Sequence, residues 1–266
     1  MGELRAYAAL LGGKIRSVAS YRTSFAVELI SNLGATVLDV ATVVVLFRAT
    51  AVIGGFTFPE ALLMTGITAA AFVLADVTVG NIDDLKTYVR AGTLDTVLIR
   101  PLGVLPQLVF MDLPLRKLLR VVFGVAILAV ALIMNDIAWT PARIALLAVV
   151  PIAGAVFFGA IFVLSASVAF WWVESGQIGH SLTYGGRDFT SYPITVYGGW
   201  FRAVFAYALG FGFVSYQPAL TLLGRADPLG LPGWTGFTSP LVAVLAAAAA
   251  GLVWRTGVRH YRGTGS

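Results

Sequence analysis

AGTLDTVLIRP, residues 91–101, interrupts two long apolar stretches of the chain with a short mixed motif. Gly92 is a residue type that commonly ends a helix, and Thr93 can cap a new one. Pro101 forces an end soon afterwards, because the residue before a proline is pushed toward an extended conformation. The stretch therefore predicts a two-turn amphipathic helix, Leu94 to Ile99.

The rest of the chain is too apolar for a water-soluble protein, with 58% hydrophobic and 12% charged residues and a mean hydropathy of +0.87 over 266 residues. Crossing a bilayer core takes about 20 apolar helical residues. Helices are favoured because lipid cannot satisfy backbone polar groups, and the apolar runs lack the alternation of barrel strands. The sequence predicts one all-α integral membrane domain, residues 1–266, with six transmembrane helices at about 24–47, 60–80, 119–135, 143–173, 197–216 and 238–255.

The basic residues predict the orientation of these spans. If the N-terminus lies in the cytoplasm, the inner segments hold every lysine and arginine except Arg48, Arg143 and Arg225. Such asymmetry predicts that both termini are cytoplasmic and accounts for the pI of about 9.7 without nucleic acid. It also places the loop 81–118 inside, between spans two and three.

Residues 1–22 precede the first span and carry no secretory cleavage pattern, so we expect the first membrane segment to be retained. Its apolar residues recur at helical spacing with basic residues elsewhere on the turn. This pattern predicts an interfacial amphipathic helix. The helix serves either as an ordinary anchor for the first span or as a contact element.

Asp39 lies well inside the first predicted span. An acidic residue at that depth costs a few kcal/mol unless it is neutralised, paired or hydrated. Asp39 is therefore either a pathway residue or a protonated, hydrogen-bonded residue at a helix contact, with Thr36 and Thr42 as neighbouring hydroxyls.

The short helix within 91–101 has an apolar face formed by Leu94, Val97 and Leu98. An exposed apolar face in a cytoplasmic loop is typical of a protein contact. We expect it to insert into a partner's groove, while Asp95 and Arg100 fix the orientation through charge-assisted bonds. The alternative is a capped linker in which Asp95 and Arg100 pair with each other.

A second irregular stretch, 217–239, follows the fifth predicted span on the outside. It is rich in proline and glycine, yet it carries too many apolar residues for a solvated loop. A re-entrant hairpin that dips into the outer leaflet satisfies both facts when its turn is buried in protein. The alternative is an interfacial loop anchored by Trp234.

Four motifs occur in order on this six-span background: Tyr21-Arg22, Gly92-x-Leu94-Asp95-x-x-Leu98-x-Arg100-Pro101, Tyr192-Pro193, and Tyr216-x-Pro218-Ala219-Leu220 before Gly224-Arg225. On these residues the chain resembles the type-2 ATP-binding-cassette (ABC) permease family, and more narrowly its bacterial six-span exporters. The resemblance covers nearly the whole chain.

The resemblance implies a multi-pass subunit of the cytoplasmic (inner) membrane that pairs with a second permease copy or a paralogue. Two cytosolic ATPase subunits would bind ATP and Mg²⁺ and drive export of a substrate, for which a wide apolar cavity favours amphiphilic or drug-like molecules. The resemblance also assigns residues to two roles. The ATPase-coupling residues would be Gly92, Thr93, Leu94, Asp95, Val97, Leu98, Arg100 and Pro101. The residues of an extracellular re-entrant gate would be Tyr216, Pro218, Leu220 and Arg225.

Other chemistry finds little support in the residues. The stretch Gly12-Gly13-Lys14 lacks the first glycine and the Ser/Thr of a phosphate loop, so we expect no cofactor on this chain. There is no cysteine, and His180 and His260 form no metal-ligand pattern. One alternative is a secondary transporter coupled to an ion through Asp39, although matching discontinuous spans are not found. A lipid-modifying membrane enzyme is another, but no catalytic cluster stands out.

Overall fold

The computed structural model describes residues 22–101, 103–111, 118–172 and 176–261. The predicted N-terminal amphipathic helix lies outside these ranges except for Arg22. The α-helices are α1 Arg22–Ala49, α2 Phe58–Val79, α3 Leu85–Arg90, α4 Thr93–Leu98, α5 Val104–Met111, α6 Leu118–Met134, α7 Pro141–Ser167, α8 Gly176–Ser191, α9 Gly199–Arg202, α10 Tyr216–Leu223 and α11 Ser239–His260. Shorter 3₁₀ segments include Gly80–Asp84, Ile194–Val196, Phe211–Phe213 and Gly233–Thr238, and a π-helix covers Ala203–Ala208.

The prediction of an all-helical membrane protein is confirmed, but the count of six spans is met only in part. Three helical stretches in the described ranges are long and apolar enough to cross a membrane, or four if one bent pair counts as a span. Shorter apolar helices, Val40–Ala49 and Arg120–Met134, represent the first and third predicted spans. The three long stretches are Phe58–Arg90, Pro141–Phe170 and Gly233–His260.

Helix α2 lies at the centre of the bundle and packs against α6, α7 and α8, while α7 also packs along α11. Small residues allow the close approaches. A Cβ added to Gly66 would lie 2.8 Å from the Cα of Leu128, and one added to Gly124 would lie 3.1 Å from the carbonyl oxygen of Ala69. Association of helices in lipid depends on such close packing rather than on hydrophobic burial. The α2–α6 contact is therefore fixed by glycine on both helices.

We expect Gly66→Ala to destabilise the bundle, because the backbone of α6 cannot give way as a flexible side chain does. Overpacking of this kind costs about 1–3 kcal/mol. A fall in the thermal midpoint of the purified protein would show it. Gly251→Ala is the matched control, since a Cβ at this α11 position meets nothing within 4 Å and alanine is the better helix former. Equal midpoints for the two variants would contradict the packing argument.

Helices α2, α7 and α11 all begin at the same end of the bundle, where residues 211–223 contact them. We call this the outer end, after the orientation that the basic residues predict, and the opposite one the inner end. These names define position within the bundle for the descriptions that follow.

Helix α8 runs from the inner end to the outer end, although the sequence predicted an inner loop there. Near its start, Gly179 lies against Ser165 close to the end of α7. Just beyond its last residue, the Thr195 hydroxyl donates to the Gly54 carbonyl at 2.7 Å, in the loop before α2 begins. Arg187, predicted at the inner surface, therefore lies part-way along the bundle instead.

The predicted fifth span, 197–216, is not one helix. Two helical stretches, Gly199–Ala208 and Phe211–Leu223, are bent by 65° at a break, where Gly210 has φ +87°. The chain already lies at the outer end before this pair, at Thr195, and is still there within it, where Tyr216 packs against Phe56 at 5.7 Å between ring centroids. The bent pair is therefore either a broken span or a re-entrant loop. The re-entrant element predicted at 217–239 stays a prediction.

Candidate functional site

The inner end carries a compact loop, residues 80–101, which we call the coupling loop after the role that the family resemblance implies for it. A 3₁₀ turn leads into α3, and α4 follows after two residues. Gly92 has φ +68° between the two helices, a left-handed conformation that glycine adopts without a steric penalty. The predicted helix is confirmed within one residue at each end. Thr93 is its first residue rather than its cap, and its hydroxyl donates to the Tyr88 carbonyl at 3.1 Å.

The apolar face of α4 packs onto this chain's own core. Leu94 is 0% exposed and Val97 1% exposed, and Leu98 is half-buried against the same cluster. From α5, the Gln107 side-chain amide donates to the Val97 carbonyl at 3.3 Å. The expectation that this face inserts into a partner's groove is therefore wrong for Leu94 and Val97, because their surface is already covered.

The opposite face of α4 is open. Ile99 is 84% exposed, and Arg100 and Pro101 beside it are exposed as well. Asp95 is half-buried, and none of the ion pairs among the described residues joins it to Arg100. The linker alternative based on that pair is not supported. An exposed isoleucine and an exposed arginine thus form the open surface at the end of α4.

At the outer end, residues 216–238 form a hairpin of α10 and a 3₁₀ turn, which we call the outer hairpin. Three predicted gate residues, Tyr216, Pro218 and Leu220, are buried. The two arms are joined through Gln217, whose side-chain carbonyl accepts from the Thr235 hydroxyl at 2.6 Å. These residues therefore hold the hairpin against the bundle and do not line an open channel.

Arg225 in the turn of the outer hairpin ties it to the start of α2. Its guanidinium donates to both carboxylate oxygens of Glu60 at 2.8 Å, lies 4.3 Å from the centroid of the Phe56 ring and donates to the Gly55 carbonyl. Glu60 also accepts from the backbone amide of Thr57 at 2.8 Å, as in a capping box. We call this Arg225–Glu60 contact the outer latch. Both bonds to Glu60 come from one guanidinium nitrogen, and charge-assisted hydrogen bonds are among the stronger polar contacts.

Two further charged residues hold the outer hairpin and were not singled out from the sequence. Asp227 accepts from the Tyr216 hydroxyl at 2.9 Å and from the Gln217 amide at 2.7 Å. Arg143 of α7 donates to the Thr221 carbonyl at 3.1 Å. An acidic residue ten residues after a Tyr-Gln pair is a weak sequence signal, and Arg143 is separated from its partner by 78 positions.

The charged residues predicted within the spans are partly accounted for. Asp76 of α2 is 2% exposed and pairs with Arg120 of α6 at 3.2 Å, so its charge is balanced within the bundle. Asp39 belongs to α1, but its side chain lies outside the described part of the structure. Its role stays a prediction.

A bundle of apolar helices with a compact loop at one end and a tied hairpin at the other is the architecture of an integral membrane protein. The chain belongs to the ABC-2 family, because the family model described as ABC-2 family transporter protein matches residues 33–265. It is thus an integral membrane permease subunit of an ABC transporter, and the family implies partnership with ABC ATPase subunits. No curated protein and no solved structure matches the chain.

Proposed function

We propose that this protein is the permease of an exporter in which two copies, or this chain and a paralogue, are driven by two cytosolic ATPase subunits that bind ATP and Mg²⁺. ATP-driven closure of the ATPases moves the coupling loops, and the paired permeases then open toward the outside. Such a switch needs contacts that differ between two states. The observation that carries the proposal is the two-faced α4, buried on one side and open on the other.

The buried face of α4 supports a transmitting role. Leu94 and Val97 belong to the same core cluster as residues of α2 and α7. A displacement of α4 would therefore be transmitted to these two helices. A loosely attached loop would absorb the movement. The open face, centred on Ile99, is then the ATPase contact, and Arg100 supplies a charge at its edge.

The outer latch supports the proposal that the outer end of the permease is closed in one of the two states. Arg225 and Glu60 join the outer hairpin to α2, the helix that continues into the coupling loop at its other end. One helix therefore links the ATPase contact to the outer closure. In the outward-open state we expect the Arg225–Glu60 contact to break.

Helix α1 supports pairing with a second permease copy. It leaves apolar side chains exposed on its surface, including Ile30, Leu38 and Val45 at 65–69%. Lipid or a second copy can cover such a surface. Placement in the inner membrane with both termini cytoplasmic remains part of the proposal. An ion-coupled transporter that uses Asp39 is the competing function, and it would transport without any ATPase.

We expect Ile99→Glu to abolish most ATPase binding while leaving the fold intact, because the side chain contacts solvent rather than core. Truncating or charging a central interface residue costs about 2 kcal/mol or more, roughly a thirtyfold loss of affinity. The measurement is co-purification of a co-expressed partner ABC ATPase, together with the thermal midpoint of the permease alone.

Val52→Glu is the matched control, since Val52 is an exposed apolar residue of the loop before α2, at the outer end. It should leave ATPase binding unchanged. Undiminished co-purification with Ile99→Glu would overturn the proposed contact. Transport by the purified permease alone, driven by a proton gradient in liposomes, would instead establish the competing function.

A further inference from the structure

A groove of about 500 Å³ lies between α2, α7 and α11, with Leu105 of α5 beside it. Its volume is within the range of ordinary ligand sites. Among the described residues that line it, Thr78 alone has a polar side chain. The Thr78 hydroxyl donates to the Leu74 carbonyl of its own helix at 2.8 Å. The groove is therefore an apolar site, and its ligand has to be apolar where it touches these walls.

The groove is open to the surface of the bundle. Two of its α7 residues, Ile152 and Val156, are 63% and 43% exposed. On the α11 side, a Cβ added to Gly251 would meet nothing within 4 Å, and the next residue, Leu252, is 64% exposed. The surface around the groove is thus as apolar as the groove itself. A hydrocarbon chain can enter it sideways from the bilayer.

The length of the groove matches one leaflet of a membrane. On α7 the lining extends from Ile152 to Val163, which corresponds to about 16 Å at roughly 1.5 Å of rise per residue. The hydrocarbon core of a bilayer is about 30 Å thick, so one leaflet takes up about 15 Å. On α2 the lining is confined to Leu74, Thr78 and Val79 at the inner end of that helix. The groove therefore covers the depth of the inner leaflet.

Basic residues follow the groove at its inner end. Arg255 lies one turn beyond Gly251 on the same side of α11, and Arg259 lies one turn further. Both arginines are exposed, and no ion pair within the described ranges includes either of them. Near them, Trp171 stacks on His260 at 5.8 Å between ring centroids and is 47% exposed. Exposed tryptophan is typical of the membrane–water interface, so the arginines lie at the level of the lipid phosphates.

We propose that this groove holds one acyl chain of an inner-leaflet phospholipid with an anionic headgroup, and that Arg255 and Arg259 bind its phosphate. Basic pockets beside membrane helices on the cytoplasmic side suit anionic headgroups, and a guanidinium binds phosphate through paired donors. A helix from a second permease copy would need a contact surface across the full thickness of about 30 Å, whereas the groove covers half of it. This binding site requires neither an ATPase nor transport.

The experiment compares phosphatidylglycerol with phosphatidylcholine carrying the same acyl chains. Native mass spectrometry of the full-length protein released from maltoside micelles gives the apparent affinity of the first lipid bound. We expect phosphatidylglycerol to bind at least fivefold tighter, because an arginine near an anionic headgroup contributes about a fivefold gain in affinity. The positive choline group reduces that gain for phosphatidylcholine.

Substitutions of the arginines test the headgroup site. Arg255→Gln should weaken phosphatidylglycerol binding about fivefold and change phosphatidylcholine binding little. Arg255→Lys keeps the charge and should keep most of the preference, whereas Arg255→Gln combined with Arg259→Gln should abolish it. Arg48→Gln is the matched control, since Arg48 is also exposed but lies at the outer end, and it should leave both affinities unchanged.

A substitution at Gly251 tests the acyl-chain site. Gly251→Phe should weaken both lipids about tenfold or more, because the aromatic ring takes the place of buried hydrocarbon. The thermal midpoint of this variant shows whether the fold is kept, and Gly251→Leu, with a smaller side chain, should give the same effect in weaker form. Gly185→Phe is the matched control, since Gly185 is an exposed helical glycine of α8 whose added Cβ also meets nothing within 4 Å.

Equal affinities of the unmodified protein for the two lipids would overturn the assignment of the headgroup. Lipid binding that neither Gly251→Phe nor Gly251→Leu weakens would overturn the assignment of the groove. If these variants instead removed a dimer from the mass spectrum while lipid binding persisted, the groove would belong to a contact between permease copies. No ATPase is present in the measurement, so its outcome is independent of the proposed transporter assembly.

Discussion

Arg225→Gln is expected to free the outer hairpin from α2 and to lower the stability of the permease by about 2–4 kcal/mol. Glutamine cannot reproduce the two charge-assisted bonds to Glu60, the bond to the Gly55 carbonyl and the contact with the Phe56 ring at once. The remaining Glu60 carboxylate is largely covered and loses its counter-charge. A fall in thermal midpoint of roughly 5–10 °C would follow.

A double-mutant cycle with Glu60→Gln isolates the latch from the other contacts of each residue. Contacting charged pairs show interaction energies of about 0.5–3 kcal/mol, so the double variant should be clearly more stable than the sum of the two single losses. Arg48→Gln, at the exposed end of α1, is the control and should change the midpoint little. Additive losses would mean that Arg225 and Glu60 are not coupled, despite the 2.8 Å distances.

The same variants test the role of the latch in transport. If the outer hairpin closes the exit, Arg225→Gln should let the assembled complex hydrolyse ATP while it moves less substrate per ATP. Amphiphilic probes such as lysophosphatidylethanolamine and lysophosphatidylcholine serve as transport substrates in proteoliposomes. A variant that loses stability yet keeps the wild-type ratio of transport to hydrolysis would show that the latch is only structural.

The sequence predicted the coupling loop well because its signals are local. Gly92 and Pro101 act on the backbone of their immediate neighbours, so the ends of α4 follow from the residues within it. The same reasoning could not decide what covers Leu94 and Val97, since an amphipathic helix packs equally well on its own chain or on a partner. Only the tertiary contact with the core decides that question.

The bend within the predicted fifth span and the helical path of residues 176–191 were missed for a different reason. Composition makes 197–216 look like a span and 176–191 look like a loop, because α8 holds Arg187, Asp188 and several hydroxyl residues. Polar groups between packed helices are satisfied by partners far away in the chain, as where the Thr68 hydroxyl of α2 donates to the backbone carbonyl of Thr190 in α8, 122 positions apart. The hydropathy of a segment depends only on its own residues, so it contains no information about hydrogen bonds to distant segments. The outer latch, 165 positions apart, was hidden in the same way.

The open and buried faces of α4 have separable roles in this mechanism. A substitution on the buried face is expected to cause a large loss of stability. Leu94→Ala removes a side chain that is 0% exposed and should cost about 2–5 kcal/mol by leaving a cavity. The cost falls on the contact between α4 and the bundle, not on the surface that the ATPase touches. We therefore expect ATPase binding to survive while the link to α2 is loosened.

Two quantities are measured for each variant: co-purification of the ATPase and transport per ATP. Ile99→Glu should lower the first and Leu94→Ala the second. With Ile99→Glu the ATPase no longer co-purifies, whereas with Leu94→Ala it co-purifies and hydrolyses ATP but transport per ATP falls severalfold. Leu94→Met, which nearly conserves volume and typically costs less than about 1.5 kcal/mol, should retain most coupling. The contrary outcome is that Leu94→Ala fails to bind the ATPase at a temperature well below the thermal midpoint of the variant. Binding would then depend on the buried side of α4 as much as on Ile99, and the two faces would not act separately.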